Sequence, residues 1–176
     1  MNKARARDSR RNKLYTAELV LEKYSKRFWS IEEVQAFLKK NMSRKYITER
    51  YPTATDPVIV ERTWGRSSWA YGTRRIRLNE WGFTQWVVLH EMSHIVSKRH
   101  FGLDIAGHGW EFARTYLDVV RAVLGIDAYH ELKTSFREHK VKFNPPRAKR
   151  VLTEEQRQVM IARMEKARAA RKVKGV

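Results

Sequence analysis

The chain has 176 residues, with 37 lysines and arginines against 19 aspartates and glutamates, a formal charge of +18 and no cysteine. That length holds one domain with a modest core. The absence of cysteine excludes disulfides and thiolate metal sites, and no run approaches the ~18 apolar residues of a membrane span; with no secretory signal at its start, a cytoplasmic protein without a membrane partner is expected.

In chain order, residues 1–13 form a basic arm of Lys3, Arg5, Arg7, Arg10, Arg11 and Lys13 against Asp8. A domain over residues 14–143 follows. Leu14, Ala17, Leu21, Tyr24 and Phe28 recur at helical spacing, so a helix is predicted over 12–27. Ser30 and Glu33 form a capping box that starts a second helix, with Ile31, Val34, Phe37 and Leu38 on its inner face. Both helices are expected to be scaffold. Pro52 and Pro57 bound a loop. Three short strands follow at 57–64, 69–71 and 75–78, with a turn at Gly65–Ser68, and make a small antiparallel sheet.

The next apolar run, Trp86-Val87-Val88-Leu89, leads into His90-Glu91-Met92-Ser93-His94 and continues through Ile95 and Val96. On a helix over about 84–98, His90 and His94 share one face a turn apart and can grip one Zn²⁺. Glu91 reaches the space beside the metal, where it can take a proton from a water that zinc has acidified. Met92 and Ser93 carry no charge, so the helix reads as buried. Buried imidazoles and a glutamate without partners would carry a heavy desolvation cost, which a metal removes.

A catalytic zinc needs a third protein ligand and an open fourth position. His100 falls where a metzincin would place that ligand, but the required glycine at 97 is Ser97. On a continuing helix His100 would lie about 80° off the ligand face. His108 is the stronger candidate, because Gly107 and Gly109 free the backbone beside it to present an imidazole at a helix entrance. That helix is predicted over 110–124, with Phe112, Tyr116, Leu117, Val120 and Leu124 inward and Gly125 as its stop. Asp127 can cap a further helix to about 138. Asn144-Pro145-Pro146 opens a linker and tail over 144–176, where ten basic side chains oppose Glu154, Glu155 and Glu165. Thr153 and Gln156 cap its helix, whose apolar stripe of Val159, Met160 and Met164 is thin.

His-Glu-Met-Ser-His followed by Gly-His-Gly-Trp-Glu-Phe resembles the core of the SprT/Spartan-like zinc metalloproteases. The chain is also similar to small metallohydrolases of actinobacteria and their phages, through Arg7-Asp8-Ser9-Arg10-Arg11 leading to Tyr15 and Ala17-Glu18. The match spans about 84–124 and, more weakly, 7–18. It implies a minimal zincin within the α+β class, with His90, His94 and His108 as zinc ligands and Glu91 as acid and base. It also implies an edge strand that binds an extended peptide, and a protein substrate held on DNA. The cysteine zinc ribbon of many such proteins is missing.

Basic ends flanking a nearly balanced core fit nucleic-acid-binding arms, with DNA and a nucleoid location ahead of RNA; solubility is the other use of such ends. Arg5, Arg7, Arg10, Arg11, Arg147, Lys149 and Arg150 are the candidate contacts there. In the sheet, Trp64, Arg66, Trp69, Tyr71, Arg74, Arg75, Arg77 and Trp81 interleave aromatics with arginines. Either the rings stack on bases and Arg74, Arg75 and Arg77 meet phosphate, or the tryptophans fill the sheet's core and the arginines face water. For the oxyanion of a peptidase, Tyr71, His130 and arginines are the candidates. The competing function is a basic nucleic-acid-binding or partner-docking protein with a structural or vestigial zinc site.

Overall fold

A computed structural model describes residues 11–147 and 152–173 and divides the chain into two compact units, Met1–Pro145 and Pro146–Val176. The fold is α+β. In the first unit α1 spans Arg11–Glu18 and then tightens into a 3₁₀ turn, Leu19–Tyr24, where one long helix was expected. At three residues per turn Leu21 and Tyr24 point the same way. Leu21 is thereby fully buried while the Tyr24 hydroxyl donates to Glu131 at 2.8 Å.

Helix α2, Ile31–Met42, starts at Ser30, whose Oγ accepts from the Glu33 N–H at 3.2 Å. The Glu33 carboxylate accepts from the Trp29 N–H at 2.9 Å, one residue ahead of a strict capping box. A short helix α3, Lys45–Arg50, fills a stretch where no element was expected. Ile47 is its one buried residue, too little for a periodic signal.

Strands β1 (Ile59–Arg62), β2 (Trp69–Tyr71) and β3 (Arg75–Leu78) form a sheet in the order β1-β3-β2. β2 pairs antiparallel to β3, but β1 pairs parallel to it, so the sheet is mixed and not antiparallel as expected. The connection after β1 crosses to the far edge, and β3 returns between its two predecessors. Alternation fixes which face a residue takes but not which strand it pairs with. Val60, Ile76 and Leu78 point into the core, and Ile59, Glu61, Arg75 and Arg77 point outward.

Helix α4, Gln85–Phe101, runs through the centre of the core and stops at Gly102, whose φ of +96° is a left-handed conformation that favours glycine. Segment 26–28 is pinned beside its start: the Phe28 N–H donates to the Phe83 carbonyl at 2.8 Å and the Gln85 N–H to the Lys26 carbonyl at 2.9 Å. At the other end, the Arg99 guanidinium donates to the carbonyls of Ala54, Asp56, Pro57 and Thr73, holding the sheet's entrance and the β2–β3 turn against α4. Helices α5 (Trp110–Val123) and α6 (Ile126–Glu138) complete the unit. Gly125 occupies the N-cap of α6 and Asp127 lies within its first turn. Its carboxylate therefore complements the helix dipole and does not cap the helix as expected.

In the second unit α7 spans Glu154–Val173. Thr153 and Gln156 cap it reciprocally, each backbone N–H meeting the other's side-chain oxygen at 3.3 Å. Val159, Met160, Ile161 and Met164 are about half exposed along it. No described helix is long and apolar enough to cross a membrane.

Candidate metal centre

His90 and His94 sit one turn apart on α4, and their Nε2 atoms are 3.2 Å apart. His108 precedes α5 and brings its Nε2 to 3.3 Å from that of His90. All three donor atoms lie within 4.8 Å of one another. A tetrahedral ion with bonds of about 2.0–2.1 Å to imidazole holds its nitrogens about 3.3 Å apart. Three imidazoles turning bare nitrogens toward one point is a donor set that could hold a metal ion, and the residues fit that role.

Local sequence explains the convergence. The φ of Gly109 is −69°, so its use is steric and not conformational. A Cβ there would lie 3.2 Å from the Ala106 carbonyl oxygen and 2.5 Å from Glu111 Oε2. Phe112, in the first turn of α5, lays its ring against all three imidazoles, with centroids at 4.1 Å from His94, 4.9 Å from His90 and 5.1 Å from His108. His100 lies outside the cluster, exposed beside Tyr51 and Phe101.

The sequence named Glu18 only as part of the resemblance and gave it no role at the site. Its Oε2 is 2.7 Å from His90 Nδ1, with both side chains buried. The carboxylate accepts a hydrogen bond from Nδ1–H, which keeps the proton there and leaves the Nε2 lone pair facing the cluster, the orientation a metal-bound imidazole needs. Burial alone would push the His90 pKa down, but the Glu18 charge outweighs it and raises it, making the imidazole a stronger donor. Burial above all, with the neighbouring His90, His108 and Lys98 disfavouring a second charge there, holds His94 well below the usual histidine range, so it stays neutral. Tyr116 is fully buried nearby, its hydroxyl donating to the Trp86 carbonyl at 3.4 Å, and burial first and then the Glu18 charge raise its pKa well above the usual tyrosine range. The signal was present in the sequence: Leu14, Ala17, Glu18 and Leu21 share one helical stripe, so the first helix carries an acid on its buried face. It is part of the site and not scaffold alone.

Replacing Glu18 by Gln weakens metal binding by roughly 10–100-fold while the fold persists. Competition against a chromophoric chelator measures this, and unchanged affinity would show that the contact does not set the donor strength of His90.

Glu91, next to His90 on α4, is buried and its pKa is pushed up to about 7. Burial is the main cause; His90 opposes it and Glu18 adds to it. The backbone N–H of Ala70 on β2 donates to this carboxylate. The Oε2 atom is buried with no hydrogen-bond partner among the described groups. A buried unpaired carboxylate oxygen costs about 1–3 kcal/mol or more, so its presence points to use.

Tyr15 on α1 stands at the edge of the cluster. Its ring centroid lies 5.4 Å from that of His90 and 5.3 Å from that of His108, the side chain is 42% exposed, and Arg11 lies over the ring at 5.9 Å. The oxyanion candidates named from sequence lie elsewhere. Tyr71 packs with Trp69 on the outward face of the sheet, opposite to Ala70, and His130 sits on α6 in a cleft with Val20 and Glu131.

Of the expected nucleic-acid contacts, Arg5, Arg7, Arg10, Lys149 and Arg150 lie outside the described residues. Arg11 belongs to α1, and Arg147 is exposed. Arg74 is exposed, and Arg75 and Arg77 both pair with Glu61. The tryptophans do not fill the sheet's core: Trp64 is 93% exposed, Trp81 51% and Trp69 38%. Comparison with protein-family models, curated proteins and solved structures returned no match.

Proposed function

We propose that the protein is a zinc-dependent metalloendopeptidase of the SprT-like kind, hydrolysing proteins near nucleic acid, DNA ahead of RNA. The observation that carries this reading is the unpartnered, buried Glu91 oxygen beside three convergent imidazoles. Zinc suits a set of three nitrogens without thiolates, and a structural zinc site would be closed by four protein ligands where the described residues supply three. Bound there, zinc would polarise the scissile carbonyl and acidify water.

The protein's own groups do the rest. Glu91, with a pKa near neutrality, takes the proton of the attacking water and returns it to the leaving amine. The Ala70 N–H holds the carboxylate in place. β2 is an edge strand, so an extended substrate can add along its free side next to Glu91. Tyr15, 42% exposed against two of the histidines, donates a hydrogen bond from its phenolic O–H to the oxygen that becomes negative during attack.

The test is hydrolysis of an unstructured protein by the zinc-loaded enzyme, abolished by chelation and restored by zinc. Tyr15→Phe lowers kcat by roughly 100-fold or more with KM and zinc content little changed. A zinc-loaded protein that cleaves nothing, with or without DNA, would leave the nucleic-acid-binding reading in its place.

A further inference from the structure

The outward face of the sheet is a set of six side chains fixed by register. Trp69 stands opposite Arg77, Tyr71 opposite Arg75, and Ile59 and Glu61 continue the two rows onto β1. These side chains are not covered by the core: Tyr71 is 66% exposed, Ile59 45% and Trp69 38%. The alternation that buries Ile76 and Val60 turns all six to the other side.

The groups on this face are held in place. Glu61 accepts from Arg77 Nε at 2.7 Å and pairs with Arg75 at 3.7 Å, so one carboxylate fixes two guanidinium groups. Arg77 lies over the Trp69 ring at 5.0 Å, and Trp69 meets Tyr71 edge-on at 6.0 Å. Beyond the end of β1, Trp64 and Trp81 line a cleft of about 330 Å³ together with Arg62 and Arg66. Large aromatic rings kept out of the core carry a hydration cost that folding alone does not explain. Arg62, Arg66, Arg74, Arg75 and Arg77 outnumber the two acids among them, Glu61, which pairs with Arg75 and Arg77, and Glu80, which pairs with Arg62 at 3.7 Å.

We infer that this sheet face is a binding platform for single-stranded nucleic acid, with Trp69 and Tyr71 stacking on bases and Arg75 and Arg77 meeting the phosphates. The inference rests on the reading that the protein works near nucleic acid, and it is independent of the peptidase chemistry. A single strand offers unpaired base faces and a regular row of negative charge, which rings and guanidinium groups match together. A duplex hides its base faces, and an extended polypeptide has no repeating anion.

The test uses the full chain and fluorescence anisotropy on labelled oligo-dT and on a duplex, over a salt series. Trp69→Ala with Tyr71→Ala weakens oligo-dT binding roughly 10-fold or more and leaves the salt slope unchanged, because stacking releases no counterions. Arg75→Ala with Arg77→Ala flattens the slope of log affinity against log salt by about 1.4, two contacts at roughly 0.7 each. All four residues are substantially exposed, and circular dichroism confirms that the variants fold. Wild-type affinity for oligo-dT in the aromatic variant overturns the inference. So does a loss of affinity for an unfolded polypeptide with DNA binding intact, which would make the face a protein-docking surface. Hydrolysis of an unstructured protein without nucleic acid reads the peptidase separately, so either idea can fail alone.

Discussion

Alanine at His108 strips the metal from the protein, and alanine at His100 leaves it in place. His108 supplies one of three convergent nitrogens, 3.3 Å from that of His90, whereas His100 is exposed on α4 nearly two turns past His94. Removing a partner that only orients a ligand costs roughly 10–100-fold in metal affinity, so removing a ligand costs more than about 100-fold. Metal analysis after dialysis measures it: one zinc per chain for wild type and His100→Ala, none for His108→Ala. Thermal unfolding gives a second reading. Zinc at 1,000 times its dissociation constant stabilises the native state by about 4.1 kcal/mol, so chelation lowers the unfolding temperature of wild type and leaves that of His108→Ala unmoved. Loss of zinc from the His100 variant with retention in the His108 variant would reverse the ligand assignment.

What could be seen in the sequence follows from how local each feature is. His90, Glu91 and His94 are set by helical geometry over five residues, and the flanking glycines marked His108. The role of Glu18 was hidden because its partner lies 72 residues away; its place on a buried stripe and in the resemblance marked the residue but not the contact. The role of Tyr15 was hidden for the same reason, since its ring meets imidazoles of α4 and of the turn before α5, both far along the chain. The three strands were visible from alternation, but the parallel pairing of β1 with β3 depends on where a connection crosses, which alternation does not encode. The aromatic residues of the sheet gave two equal readings, because an outward tryptophan and a buried one occupy the same alternating pattern. Exposure separates them, and it also separates the platform face from the Ala70 side that meets Glu91.

Glutamine at Glu91 leaves a protein that folds, holds its zinc and does not hydrolyse. The amide has the size of the carboxylate and its oxygen still accepts the Ala70 N–H, so the packing between α4 and β2 survives. It cannot take a proton from water. The loss of a positioned general base is worth roughly 10²–10⁴-fold in kcat. The three imidazoles and Glu18 are untouched, so zinc content and affinity stay at wild-type values. The fold is not weakened either: the raised pKa of Glu91 means that burying its charged form costs stability as pH rises toward about 7, and a neutral amide is free of that cost. Stability and zinc content are therefore the controls, and turnover of an unstructured protein is the measurement. A Glu91→Gln protein as active as wild type would sink the proposed mechanism, because no other described carboxylate shares the cluster with an open oxygen.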